Sequence, residues 1–508
     1  MPAPGNPYAY EDRFLADSWA AVAEPLHFLE SKAFTRAAGA SLVSGNSVQL
    51  LKDARENYPA WLEAIAGAVR TIHFESYIIH DDECGRCFAD ALSAKARVGV
   101  RVRLLYDWLG ALTTTSRRFW RELRAAGVEV RCFSPLRFDS PLGWLSRDHR
   151  KMLVVDGCLG FVTGLCVGQM WAGDPTRGVE AWRDTGVAIR GSAVAEIERA
   201  FARIWRTAGT PLPETELPRA EDLPRAGDVA LRVIASEPSL AGLYRLDSLI
   251  AASARRSLWL TDVYFVGATT YTQALVAAAK DGVDVRLLTP GASDLPLIRA
   301  LSRAGYRALL EGGVRVFEWG GSMLHAKTAV ADGKWARVGS SNLNPASWLG
   351  NWELDVAVEN HEFARAMEEM FLEDLERAAE IVLSARRRVQ MARPRDQRSG
   401  RRTQRQGSTS RAVAGAIGLG NAVGAALTNR RELGPAEAKL MASGGLVLLV
   451  LAVIALLWPR LLTAPLALLG LWIAAGLLHR AYRLHKAGNQ QAKTIGKAPQ
   501  DMEQQREA

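Results

Sequence analysis

The sequence predicts an α/β protein of two similar sandwich halves with mixed sheets about a pseudo-twofold axis, followed by a C-terminal transmembrane helical hairpin. Three observations carry this. First, His149-Arg150-Lys151 and His325-Ala326-Lys327 lie 176 residues apart, and each precedes a short apolar run closed by Asp-Gly, at Asp156-Gly157 and Asp332-Gly333. Second, other segments recur at offsets of 183 to 187 residues. Tyr77-Ile78-Ile79 is answered by Tyr264-Phe265-Val266, Gly99 to Leu105 by Gly282 to Leu288, and Gly127 to Val130 by Gly313 to Val316. Third, Leu440 to Trp458 and Leu461 to Leu478 are uncharged runs of nineteen and eighteen residues, close to the roughly 20 that span a bilayer.

Taken in order, residues 1–45 lack the apolar core of a leader and read as an N-terminal helical extension. Residues 46–210 form the first half and 229–385 the second, each of domain size. Within them short β-branched runs alternate with amphipathic windows such as Cys87 to Ala96 and Tyr271 to Lys280, the pattern of α/β layers. Pro211, Pro213, Pro218 and Pro224 mark 211–228 as a surface linker. An Arg-rich linker with an Ala/Gly segment follows at 386–439, then the hairpin at 440–478 and a polar tail at 479–508. The active site is expected at the seam between the halves.

Strand geometry gives the repeated motif its chemistry. Residues i and i+2 project to one face of an extended chain, so His149 points with Lys151 and His325 with Lys327. One imidazole can attack phosphorus while the other protonates the departing oxygen, and both titrate near neutrality. The lysines supply positive charge for phosphate oxygens. Asp156-Gly157 and Asp332-Gly333 suit either a tight turn or a catalytic role. After Asp332 comes Gly339-Ser340-Ser341-Asn342, small groups able to approach a phosphate. After Asp156 the counterpart is Thr163-Gly164-Leu165-Cys166.

These motifs resemble those of the phospholipase D superfamily, marked by a doubled His-x-Lys-x4-Asp-x6-Gly-Ser-x-Asn. The second copy matches in full; the first departs at Cys166, where a weakly donating thiol replaces an amide. The resemblance implies a catalytic set of His149, Lys151, Asp156, His325, Lys327 and Asp332, with a phosphohistidine on His149 and His325 as acid, then base. It further implies a carboxylate in each half that holds its histidine, matched by Asp184 and Glu353, with Ser340 and Asn342 as orienting or phosphate-binding groups. Within the superfamily the run Gly339 to Pro345 is most similar to bacterial cardiolipin synthases. That implies transfer of a phosphatidyl group between phosphatidylglycerols, with hydrolysis to phosphatidic acid, or a nuclease of the same superfamily, as alternatives. Trp144, Trp171, Trp348 and Trp352 near the motifs read as core residues before acyl-chain contacts.

Charge and cysteines constrain the setting. The formal net charge is +9, and residues 386–411 alone hold ten arginines against one acid. The catalytic halves are therefore nearly balanced, which disfavours nucleic acid as a partner and points to an anionic phospholipid substrate and membrane surface. Lys439, Arg430 and Arg431 before the hairpin and Arg480, Arg483 and Lys486 after it place both flanks, and the catalytic halves, on the cytoplasmic side of the inner membrane, with a multi-pass topology. Five cysteines suit a reducing compartment. Cys84 and Cys87 lack a second pair, so no metal is expected, and the transfer chemistry calls for no cofactor. Nothing in the sequence specifies an oligomeric state.

Overall fold

The computed structural model describes residues 31–135, 146–291, 296–383 and 389–391, with scattered positions between 446 and 482. The chain divides into two compact units, one of residues 1–133 with 147–436, the other of residues 134–146 with 437–508. In the second unit the described positions from Leu446 to Tyr482 are helical. The expected hairpin at 440–478 otherwise lies outside the described residues, and among those described no helix is long and apolar enough to cross a membrane.

In the first unit the halves repeat strand for strand. The first contributes β1 (Val43–Lys52), β2 (Thr71–Ser76), β3 (Arg101–Asp107), β4 (Glu129–Phe133), β5 (Lys151–Val155), β6 (Leu159–Thr163) and β7 (Thr185–Arg190). The second contributes β8 (Val229–Ser236), β9 (Ser257–Thr261), β10 (Asp284–Pro290), β11 (Arg315–Trp319), β12 (Thr328–Ala331), β13 (Trp335–Gly339) and β14 (Glu353–Glu359), then β15 (Ala378–Leu383) and β16 (Val389–Met391). Outward from the seam the order is β1-β7-β6-β5-β2-β3-β4 on one side and β8-β14-β13-β12-β9-β10-β11 on the other, with β15 and β16 beyond. The seam itself is the antiparallel pair β1–β8, so the halves share one continuous hydrogen-bonded sheet order. Strands β2-β3-β4 and β9-β10-β11 run parallel and the rest antiparallel, a mixed sheet.

The recurring Gly-Val pairs explain themselves here. Gly99 and Gly282 follow the helices Glu83–Arg97 and Thr269–Lys280 at φ of +91° and +93°, a conformation open to glycine at no steric cost, and the strands β3 and β10 start two residues on. Strand β1 begins at Val43, inside the expected N-terminal extension, of which residues 31–38 are helical. Strand β16 lies inside the expected Arg-rich linker.

A shared core holds the halves together. Ile197, Phe201, Ile204 and Trp205 of the helix Ala193–Thr207 are fully buried in one apolar cluster with Val356, Val358, Met367 and Met370 of the second half. Each large side chain so buried stabilises by about 1.5–3 kcal/mol relative to exposure. Arg183 adds a polar tie: Nε donates to Asp374 at 2.8 Å and Nη1 to Asp53 at 3.1 Å, so one guanidinium joins both halves behind the site.

Candidate active site

Both motif histidines sit just before a central strand, β5 or β12, and each is pinned by backbone from the opposite half. His149 N donates to the Trp352 carbonyl at 2.9 Å, and His325 N to the Arg183 carbonyl at 2.7 Å. Bridges Asp148–Trp352 and Arg183–Leu324 zip the two segments across the seam. The imidazoles are nearly buried, with 6 % and 8 % exposure.

The carboxylate pairing is exchanged between halves, a correction to the expectation that each half orients its own histidine. Glu353 Oε2 of the second half lies 3.0 Å from His149 Nδ1, and Asp184 Oδ2 of the first lies 2.6 Å from His325 Nδ1. His149 Nδ1 also faces the Ser340 carbonyl at 3.1 Å. With two acceptors around it, Nδ1 carries the proton, and Nε2 is left with its lone pair. Burial lowers the His149 pKa despite Glu353, which keeps the ring neutral. Burial works against the ionised Glu353 as well, but His149, Lys151 and the Ser340 hydroxyl outweigh it and hold the carboxyl below its ordinary range. Ser340 Oγ donates to Glu353 at 2.6 Å and Asn351 Nδ2 at 3.2 Å. Asp184 has less support, chiefly the Thr185 N–H at 2.9 Å, and burial pushes it up to about 6 against the pull of Lys327.

The two lysines share one contact, and Lys327 adds another, its Nζ lying 2.9 Å from His325 Nδ1 and 3.2 Å from Nε2. Each Nζ turns back to donate to the carbonyl of its own motif histidine, Lys151 to His149 and Lys327 to His325. Both are buried. Loss of water and repulsion from Lys151 bring Lys327 down to about 8, in spite of Asp184 and Asp262.

Asp156 and Asp332, expected among the catalytic residues, do other work. Asp156 accepts from the backbone N–H of Val69, Arg70 and Thr71 at 2.9, 2.7 and 2.9 Å. Asp332 accepts equivalently from Arg255, Arg256 and Ser257 at 3.0, 2.7 and 3.0 Å. Both stand in left-handed turns, at φ of +53° and +55°. They clamp the starts of β2 and β9 at the far end of the motif strands, about 16 Å along the chain from the lysines at roughly 3.3 Å per residue. Of the motif tails, Ser340 orients Glu353, and its Oγ also accepts from Leu354 N at 2.9 Å. Asn342 is buried, its Oδ1 without a donor among the described residues.

The departures in the first copy compensate one another. Gly164 occupies the place of Ser340, and a Cβ there would stand 2.2 Å from Asp184 Oδ1. The shorter aspartate thus reaches its histidine only because residue 164 has no side chain, whereas the longer Glu353 leaves room for a serine. Cys166, in the place of Asn342, is buried, and burial raises its thiol pKa, so it is a neutral filler.

Several supporting groups escaped the sequence reading because their partners are remote. Asp107 accepts from Asp148 N and Arg147 Nη1, both at 3.0 Å, and holds the strand entry at His149. Asp262 accepts from Leu343 N at 2.7 Å and Tyr264 N at 2.9 Å, anchoring the tail around Asn342. Buried Arg337 lies 2.9 Å from Asp355, which takes the Ser341 hydroxyl. Glu75 and Asp148 are fully buried, and among the described residues no donor meets Glu75 Oε1 or Oε2 or Asp148 Oδ2. Burial raises the pKa of both, and the charge of Glu75 raises that of Asp148 further. The nearest sequence signal was the position of Asp148, one residue before His149.

Paired imidazoles, each met by a carboxylate and flanked by a buried ammonium, make up a two-histidine site with the groups that phosphotransfer requires. The family model described as cardiolipin synthase, phospholipase D-like domain matches residues 61–205 and 248–375. Cardiolipin synthase from Alkalihalophilus pseudofirmus is 34% identical over 345 residues, covering 67% of this chain and 68% of that protein. Cardiolipin synthase A from Pseudomonas fluorescens is 34% identical over 349 residues, covering 67% and 70%. The crystal structure of phosphatidylserine synthase from Haemophilus influenzae superposes with a TM-score of 0.55 at 14% identity, over 69% of this chain and 91% of that one, a likeness of fold. The chain belongs to the cardiolipin synthase family of phospholipase D-like phosphatidyltransferases.

Proposed function

We propose that this chain makes cardiolipin by moving a phosphatidyl group from one phosphatidylglycerol to another through a phosphohistidine on His149. The observation that carries the reading is the exchanged pair of His–carboxylate contacts, which puts two imidazoles, each held by a carboxylate of the opposite half, on one seam. Neutral His149 Nε2 attacks phosphorus, and the bond to the glycerol headgroup oxygen breaks. The protonated His325 delivers its proton to that oxygen, and glycerol leaves. Asp184 stabilises the imidazolium that His325 must be for this step. A hydroxyl of the second phosphatidylglycerol then attacks phosphorus, the P–N bond breaks, and His325 recovers the proton. Lys151, Lys327 and Asn342 hold the phosphate oxygens.

In this reading residues 46–210 and 229–385 form one catalytic body joined by the linker 211–228. The Arg-rich segment 386–439 approaches anionic lipid, and the hairpin 440–478 anchors the chain in the inner membrane with the catalytic halves on the cytoplasmic face. The test is incubation of the full chain with phosphatidylglycerol vesicles and identification of products by mass. Cardiolipin with glycerol is expected, with the acid-quenched phosphoenzyme mapping to His149. Phosphatidic acid as sole product would replace the transferase with a hydrolase, and a phosphate trapped on His325 would reverse the roles.

A further inference from the structure

The two histidines stand in unlike surroundings. His149 meets the edge of Tyr77, ring centroids 5.1 Å apart, and otherwise polar groups, Ser340 and Glu353. His325 is boxed by two indoles, Trp171 edge-on and Trp182 tilted, each at 5.6 Å, themselves 4.8 Å apart. Trp171 is fully buried, but Trp182 keeps part of its surface open. Trp182 packs against the core of the first half and, across the seam, against a small apolar cluster of Val263, Tyr264, Met323 and Ala346. Its backbone is fixed, with Trp182 N donating to the Met170 carbonyl at 3.2 Å and Arg183 N to the Met323 carbonyl at 2.9 Å. The position of the indole is therefore set by both halves. An indole wall thus stands beside the acid–base histidine, whereas the described ring contact of the nucleophile is with Tyr77 alone.

Resting on the cardiolipin reading above, we propose that Trp182, with Tyr264 and Met323, is the specificity-determining wall that seats the glycerol and adjoining acyl chain of the second phosphatidylglycerol against His325 and keeps water off that face. The chemistry makes this the deciding place. Whether the phosphohistidine is opened by a lipid hydroxyl or by water, the same P–N bond breaks, a new P–O bond forms and the same His325 takes the proton. Transfer and hydrolysis then differ only in what occupies the space beside that ring. An indole offers a large, rigid apolar face with low conformational freedom to lose, suited to a lipid and unfavourable for ordered water.

The experiment uses the full chain on phosphatidylglycerol vesicles and reads cardiolipin and phosphatidic acid per glycerol released. Trp182→Ala should raise the ratio of phosphatidic acid to cardiolipin by at least about tenfold, the scale on which a lost apolar contact changes selectivity. Trp182→Phe should keep the ratio near that of the unaltered chain. A merely structural role would lower both products together and leave the ratio unchanged, and that result overturns the proposal. Should Trp182→Ala not fold, Met323→Ser probes the same wall from the second half, with the same expected shift and the same refutation. Failure of the parent reading shows elsewhere, in an unaltered chain that makes no cardiolipin, and takes the acceptor assignment with it.

Discussion

Glu353 and His149 belong to different halves of the chain, 204 residues apart, yet Oε2 and Nδ1 meet at 3.0 Å. Asp184 and His325 repeat the exchange in the other direction at 2.6 Å. Neither half completes its own dyad, so both pairs exist only when the halves are joined. Glu353→Gln keeps the shape but replaces the acceptor facing Nδ1, and its amide can hold the wrong tautomer. The expected outcome is a kcat lower by roughly 10²–10⁴-fold with an unchanged circular dichroism spectrum. Activity within a few-fold of the original would sink the orienting role.

Asp156→Ala and Asp332→Ala should act on stability. Each removes the acceptor of three backbone N–H groups and favours leaving a left-handed turn. A loss of about 1–3 kcal/mol is expected for each, seen as a lower Tm, with kcat nearly retained at temperatures where the protein is folded. Asparagine, which tolerates the left-handed turn, should restore part of the loss. A hundredfold fall in kcat at unchanged Tm would return these residues to the catalytic set.

Activity should occupy a pH window bounded by Asp184 and Lys327. Asp184, raised to about 6, is ionised above that value, so support for the His325 imidazolium is lost as pH falls through it. Lys327, lowered to about 8, is charged below that value, so a phosphate-holding cation is lost as pH rises through it. The pH profile of kcat/KM should therefore be bell-shaped between about 6 and 8. Replacing Asp184 by Asn should remove the acid limb along with most activity; an acid limb that persists unshifted in Asp184→Asn would assign it to another group.

Gly164 and Asp184 should be coupled. Gly164→Ser places a Cβ against the carboxylate, 2.2 Å from Oδ1, and should cost at least about tenfold in kcat by displacing it. Adding Asp184→Glu reproduces the Ser–Glu pairing of the second half and should recover part of that loss. A double-mutant cycle measures the coupling, and strictly additive effects would show that the two positions are independent.

Much of this was legible without coordinates. The doubled His-x-Lys, its matched tails and the recurring Gly-Val strand starts report periodicity and residue chemistry, both local properties of the chain. Asp184 and Glu353 could be matched through the family resemblance, but a resemblance of sequence does not say which histidine each meets. Trp182 was passed over as an aromatic for a related reason, since its significance depends on Met323 and Tyr264 from the other half.

The sequence by itself determined the two-half α/β plan, the histidine and lysine positions and the family to which the chain belongs. Only the tertiary structure decided how the halves divide the labour. Joining β1 to β8 brings each strand entry against the opposite half, so that carboxylates exchange partners, while the Asp-Gly turns fall at the far strand ends and become clamps. The same closure removes water from both dyads, and that loss of solvation, which no residue carries alone, sets His149 neutral, Lys327 near 8 and Asp184 near 6.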